Sequence, residues 1–385
     1  MKVSKKSLEI PPFIVMEVLE AAQKLEAAGI DVVHMEVGEP DFDSPPCVID
    51  RGIESLRQGR THYTHSMGKL SLRESIARYH DMTYGTPVSP DRIIVTGGSS
   101  PALLLVFMAL CDPGDEIILP NPYYPCYPNI IRFSEGTPVF VDVFEENGFQ
   151  YTPEAIAEKI TDRTRAILIN SPSNPTGNLL SPEVMVQIAN IGVPVVSDEI
   201  YHGLVYGKPA RSILEFSDNA VVIGGFSKLF AMTGWRLGYC IVPEELARPI
   251  QKMQQNFFIS AGDFVQEAGE AALFGCGDEI TEMVAEYARR RELVLSRLTQ
   301  MGFSIKVEPH GAFYVFLNVK ELCAKTGKNS YDLAFDILDR AHLAVTPGTD
   351  FGPGGEGFIR FSYATKYERI VEGMNRFENY LSSMG

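Results

Sequence analysis

The sequence predicts an α/β fold: a large doubly wound domain with a mainly parallel seven-stranded sheet, joined by a smaller α+β domain. Three observations carry this expectation. Seven short apolar runs, at 92–95, 116–119, 138–143, 166–170, 193–197, 221–224 and 237–242, stand where strands would. Helix-length stretches separate several of them, the rhythm of parallel strands buried on both faces. Beyond residue 280 the rhythm changes to a long charged helix followed by mixed short elements.

Taken in order, 13–28 carries Val15, Val18, Leu19, Ala22 and Leu25 at helical spacing and stops at Gly29. A strand at 31–37 leads into the turn Gly38-Glu39-Pro40-Asp41-Phe42, and helices follow at 47–58 and 71–82. Between those helices lies a polar, aromatic, non-periodic stretch that includes His62, Tyr63 and His65. After the seven strands, a helix at 285–300 precedes strands at 303–307 and 312–319. A helix at 331–342, a strand at 358–364 and a closing helix at 367–382 complete the chain. The expected division is an N-terminal segment 1–45 packing with the small domain, a large domain 46–284 and a small domain 285–385.

Composition excludes several function classes. The chain has 385 residues, 45% hydrophobic and 22% charged, with a formal net charge of −15. That charge argues against a nucleic-acid partner and leaves no polybasic patch for a membrane. No apolar run approaches the roughly 18 residues that span a bilayer, and residues 1–9 lack the apolar centre of a signal peptide. Cys47, Cys111, Cys126, Cys240, Cys276 and Cys323 are scattered, without C-x-x-C pairs or zinc spacing. Free thiols in a reduced, cytoplasmic setting, and no metal, are the expectation.

In a doubly wound sheet ligands sit beyond the carboxyl ends of the strands, so those ends are where chemistry is sought. After 92–95 come Gly97, Gly98, Ser99, Ser100 and Pro101, a Gly/Ser loop opening a helix whose free N–H groups suit a phosphate. An ordinary strand-to-helix turn reads the same way. The Gly352–Gly357 match to G-x-G-x-x-G precedes a strand instead of a helix and is no dinucleotide fingerprint. Tyr123, Tyr124 and Tyr127 follow the second run on a proline-stiffened loop, able to stack on a planar ring or simply to pack. Asn174, fixed in direction by Pro175, follows the fourth. Asp198 and Tyr201 follow the fifth, and a carboxylate buried there needs a cationic or hydrogen-bonding partner. Lys228 follows the sixth, with Arg236 eight residues on. A solvated loop lysine and a structural ion pair are the plain alternatives.

Together these stretches resemble fold type I, pyridoxal-phosphate-dependent aminotransferases of class I/II, the aspartate aminotransferase superfamily. The resemblance spans nearly the whole chain, from Val37–Phe42 through Asn174-Pro175-Thr176-Gly177, Ser197–Tyr201, Ser227-Lys228 and Ala231–Arg236 to Gly311–Tyr314 and Arg360–Ala364. It implies that Lys228 carries pyridoxal 5′-phosphate as a Schiff base and then serves as the base between the substrate Cα and the cofactor. It implies Asp198 on the ring nitrogen, Asn174 and Tyr201 on the ring oxygen, and Tyr124 on the ring face. Ser99, Ser100, Ser227 and Arg236 would hold the phosphate, joined by Tyr63 from the neighbouring subunit of a homodimer. Arg360, Gly38 and Asn174 would bind the substrate, whose α-carboxylate Arg360 would clamp; the partners are an L-amino acid and a 2-oxo acid in a ping-pong exchange.

Two departures stand out. Gly225 occupies a position where many members have a phosphate-binding serine, and the Gly98–Pro101 loop lacks the basic residue that meets a distal carboxylate in aspartate-specific members. A carbon–sulfur β-lyase on the same fold is the alternative enzyme, and a non-catalytic cofactor-sensing protein the remote one. His62, His65 and His202 read as loop or packing histidines, and His310 is left open.

Overall fold

A computed structural model describes residues 1–384. A short strand, β1 (Val33–His34), precedes seven strands that correspond to the seven predicted runs. They are β2 (Ile93–Thr96), β3 (Glu116–Asn121), β4 (Thr137–Asp142), β5 (Thr164–Asn170), β6 (Val195–Asp198), β7 (Ala220–Gly225) and β8 (Gly238–Ile241). These seven form one sheet in the order β2-β8-β7-β6-β5-β3-β4. Only β8 runs against its neighbours; the other pairings are parallel.

Side-chain alternation explains why the central strands read as unbroken apolar runs. In β5, Ile167 and Ile169 enter the core on one face while Ala166 and Leu168 enter the core on the other. In β6, Val195 and Val196 divide in the same way. The helix Ser99–Leu110, apolar from Pro101 onward, fills one face with Leu103, Val106 and Phe107. The other face receives Val48, Leu72, Ile76, Ala268 and Ala272 from the helices Pro46–Arg57, Leu70–Tyr84 and Asp263–Gly275. The last of these, and Glu244–Phe257 before it, are helices that the sequence reading did not single out.

The long helix Gly277–Gln300 leads to an antiparallel sheet of β9 (Tyr314–Asn318), β11 (Thr346–Pro347) and β12 (Phe358–Ser362), with β12 in the middle. β10 (Leu343–Ala344) pairs in parallel with β1, tying the N-terminal segment to this part of the molecule. The helices Ser330–Ala341 and Tyr367–Ser382 lie where the 3.6-residue period put them.

Three expectations are corrected. Residues 303–307 form no strand: Phe303, Ile305 and Val307 do pack inward, giving the alternation, but no neighbouring strand supplies a ladder. The strand expected at 31–37 shrinks to β1, because pairing with β10 covers only two residues. The cysteines are not all free thiols: Cys47 and Cys276 form a disulfide with Cα atoms 6.4 Å apart. They stand 229 residues apart and meet because the helix Pro46–Arg57 packs beside Asp263–Gly275, a proximity that sequence spacing cannot reveal.

Candidate active site

The parallel strands open at their carboxyl ends onto a cavity of about 320 Å³. Every residue expected in the site lines it except Tyr63, which stands 83% exposed on the outer surface of this chain.

Asp198 is the last residue of β6 and is 4% exposed. The Tyr127 hydroxyl donates to its Oδ2 at 2.6 Å, and the Ile200 N–H donates to Oδ1 at 3.2 Å. Burial pushes this carboxyl up to about 6, while the two donors pull the other way. Next to it, burial raises Glu199 to about 7, but that side chain turns from the cavity to accept from the Ile213 N–H.

Lys228 follows the end of β7 and is shielded by the rings of Tyr201 and Phe313, each 5.9 Å from Nζ. Its ammonium donates to the Gly38 carbonyl at 2.7 Å. Burial lowers its pKa to about 8; nearby Arg360 and Arg236 add to that shift, and Glu39 and Asp198 oppose it.

The Gly/Ser loop turns through Gly98, at φ +110°, into the helix Ser99–Leu110 with no side-chain cap on its first N–H groups. Arg236, itself at φ +56°, lies against this loop. A Cβ on Gly98 would sit 2.5 Å from Arg236 Nη2, and a Cβ on Gly238 would sit 2.6 Å from the Ser99 nitrogen. Glycine at both positions lets the guanidinium and the helix start converge, the arrangement an anion needs. Ser227 is buried beside Lys228. At Gly225 an added Cβ would meet Ile200 Cδ1 at 2.8 Å, so the isoleucine occupies the space of the expected serine.

The opposite wall comes from β12. Arg360, 3% exposed, donates from Nη1 to Asn174 Oδ1 at 2.8 Å. Its Nη2 donates to the Glu36 carbonyl at 2.5 Å and the Thr346 hydroxyl at 3.2 Å. The guanidinium lies 4.3 Å from the ring centre of Tyr314, whose hydroxyl bonds Tyr201 Oη at 2.8 Å. A Cβ on Gly38 would fall 2.0 Å from Tyr314 Oη, so only glycine fits there.

Sequence reasoning missed the bond from Tyr127 to Asp198, the Tyr201–Tyr314 pair, Thr346, and the apolar side chains Phe13, Val15 and Met16 that also line the cavity. Tyr127 had a signal in the aromatic loop. Thr346 had none. Tyr84 Oη bonds His202 Nδ1 at 2.8 Å outside the cavity, and His310 bonds the Tyr206 carbonyl; both histidines are packing groups.

The strand ends of the large sheet bring Lys228, the buried Asp198 carboxylate and Arg236 to one cavity that Arg360 of β12 completes, a set of groups suited to group transfer, and comparison with known proteins agrees. Residues 30–377 match the family aminotransferase class I and II, and the chain belongs to that family. A curated relative, the (5-formylfuran-3-yl)methyl phosphate transaminase of Methanocaldococcus jannaschii, is 44% identical over 98% of this chain and 99% of its own. A solved structure from Methanococcus jannaschii, described as similar in its active site to kynurenine aminotransferases, is 43% identical with a TM-score of 0.91, covering 99% of this chain and 100% of its own. The aspartate aminotransferase of Thermus thermophilus, solved with maleate, is 35% identical with a TM-score of 0.94, covering 98% and 99%. The chain is an aminotransferase, and the lyase and cofactor-sensor readings are not favoured.

Proposed function

We propose that the enzyme works with pyridoxal 5′-phosphate, passing the amino group of an L-amino acid to a 2-oxo acid in a ping-pong cycle centred on Lys228. The observation that carries this is a half-buried lysine sharing one cavity with the buried Asp198 carboxylate. The cavity's polar groups suit such a cofactor: an uncapped helix start, Arg236, the buried Asp198 carboxylate, Lys228 and Arg360 all line it.

When bound, the cofactor supplies a carbonyl that takes up the amino group and a ring that draws electrons from the substrate Cα. Asp198, held by Tyr127, offers its carboxylate to the ring nitrogen. The Asn174 amide and Tyr201 hydroxyl would hold the ring oxygen, and Tyr124 would pack on the ring. Ser99, Ser100, Ser227 and Arg236 hold the phosphate, with Tyr63 reaching that of a neighbouring subunit in a homodimer. Arg360 and the Gly38 N–H receive the substrate α-carboxylate. The Lys228 amine, with its pKa lowered by burial, would be the base that takes the proton from the substrate Cα. Segments 1–45 and 285–385 close over 46–284 and exclude water. No helix among the described residues is long and apolar enough to cross a membrane, and a cytoplasmic location suits free amino and 2-oxo acids. The disulfide is a feature uncommon in reducing compartments.

A screen of L-amino acids against 2-oxoglutarate and pyruvate tests the proposal. Amino transfer dependent on added pyridoxal phosphate is expected. Release of pyruvate and ammonia from cysteine conjugates without a 2-oxo acid, and no transfer, would replace it with the lyase.

A further inference from the structure

The cavity carries three cationic side chains from this chain: Lys228, Arg236 and Arg360. If the roles proposed above hold, and the inference rests on them, the cofactor and the substrate α-carboxylate occupy all three. The lining left for the substrate side chain holds no cation: Phe13, Val15 and Met16 from the N-terminal segment, Leu103 and the ring of Tyr124 are apolar, and Thr233 and Glu39 form a polar pair, the hydroxyl donating to the carboxylate. Phe13 meets Tyr124 edge-on, with ring centres 6.1 Å apart.

What seats this wall is unusual. Phe13 is the N-cap of the helix Ile14–Ala27, and its side chain cannot bond the first N–H groups. Asp350, 336 residues away along the chain, supplies the missing acceptor. Its Oδ1 accepts from the Ile14 N–H at 2.9 Å and its Oδ2 from the Val15 N–H at 3.3 Å. Asp350 is 7% exposed and lies in the turn Gly348–Phe351, directly after β11. The same segment supports Arg360 from the other side. Thr346 accepts from its Nη2, and the Phe351 ring lies 4.9 Å from its guanidinium carbon. One short stretch thus touches both the proposed carboxylate clamp and the roof.

We infer that Asp350 is a positioning residue that latches Phe13, Val15 and Met16 over the cavity, and that the latched wall selects amino acids with uncharged, apolar side chains as amino donors. A carboxylate brought against this wall would lose water without gaining a partner, whereas an apolar side chain gains by leaving water.

The experiment compares kcat/KM for phenylalanine, leucine, alanine and aspartate with a fixed 2-oxo acceptor, in the wild type, Asp350→Ala and Phe13→Ala. The wild type should prefer phenylalanine or leucine to aspartate by at least about tenfold. Asp350→Ala should erase most of that preference by raising KM for the large donors, while kcat and the KM for alanine change little. Phe13→Ala, which alters a partly exposed side chain, should move the preference in the same direction and guards against loss of fold in the first variant. A wild-type preference for aspartate overturns the selectivity. An unchanged phenylalanine-to-alanine ratio in both variants, or a uniform loss for every donor, overturns the latch. Failure of every donor in the wild type would instead strike the proposed function.

Discussion

The two walls of the cavity are built in different ways. On the sheet side, Asp198 ends one strand and Lys228 and Asn174 follow two others, so neighbouring backbone fixes where each begins. Their register is set by parallel ladders that pair Asn170 with Asp198 and Asp198 with Ile223. On the opposite side, Arg360 sits mid-strand in β12 between Thr346 and Phe316, its guanidinium is steered by Glu36, Asn174 and Thr346, and the roof is held by Asp350, through contacts with a distant part of the chain. The sheet wall is suited to holding a group that stays. The roof of the other wall, tied by two side-chain bonds to Asp350, is suited to a group that enters and leaves.

This contrast predicts where substitutions strike. Lys228→Ala should have the largest effect: amino transfer should fall on the order of 10⁴-fold, since the proposed nucleophile and base are lost together. The visible band of the holoenzyme should vanish with it. A variant that keeps the band after reduction and dialysis would move the chemistry to another residue and dissolve the distinction between the walls.

Arg360→Lys probes the other wall. An ammonium cannot reproduce the guanidinium fork, and Asn174 Oδ1 and the Glu36 carbonyl would compete for its donors. The expected result is a rise in KM for amino donors of about 30- to 100-fold with a smaller change in kcat. Cofactor affinity, measured by dialysis and visible absorbance, should stay unchanged. If it collapsed too, the two walls would have to be treated as one unit.

The contrast also accounts for what could be read from sequence. The seven strands and the residues beyond their ends were legible because burial on both faces leaves continuous apolar runs in all but the edge strand β4, and because Lys228, Asp198 and Asn174 lie within a few residues of them. Arg360 was legible only through family resemblance. Asp350 and Thr346 were not, since a cap offered to a helix 336 residues away leaves no local pattern. Residues 303–307 show the converse failure: their alternation was read correctly, but a strand also needs a neighbour.

A gentler test concerns the sheet wall's proton balance. Burial holds the Lys228 amine at about 8, against an ordinary 10.5. The depressed value means that the neutral, nucleophilic amine dominates above pH 8 and is progressively lost to protonation below it. Uptake of pyridoxal phosphate by cofactor-free enzyme, followed by visible absorbance, should therefore slow about tenfold per unit below pH 8 and level off above it. A rate that kept climbing toward pH 10 would mean that the pocket does not tune this amine.

The smallest effect is expected at Gly225, a position on the sheet wall that departs from the family pattern. Its partner across the ladder is Gly238, whose absent side chain leaves room for the backbone of Gly98 and Ser99. Backbone cannot yield, so that glycine is obligatory. Gly225 is different, because the atom in the way is the terminal methyl of Ile200. Gly225→Ser should thus lower stability by only about 1–2 kcal/mol, as a mild overpacking. Ile200→Val removes that methyl and should recover most of the loss in the double variant, measured by denaturant unfolding. If the new hydroxyl also reaches the phosphate end, the double variant will retain its cofactor longer on dialysis than the wild type. If stability does not recover, the obstruction is the backbone of the sheet and not Ile200, and the missing serine has a deeper cause than one crowded methyl.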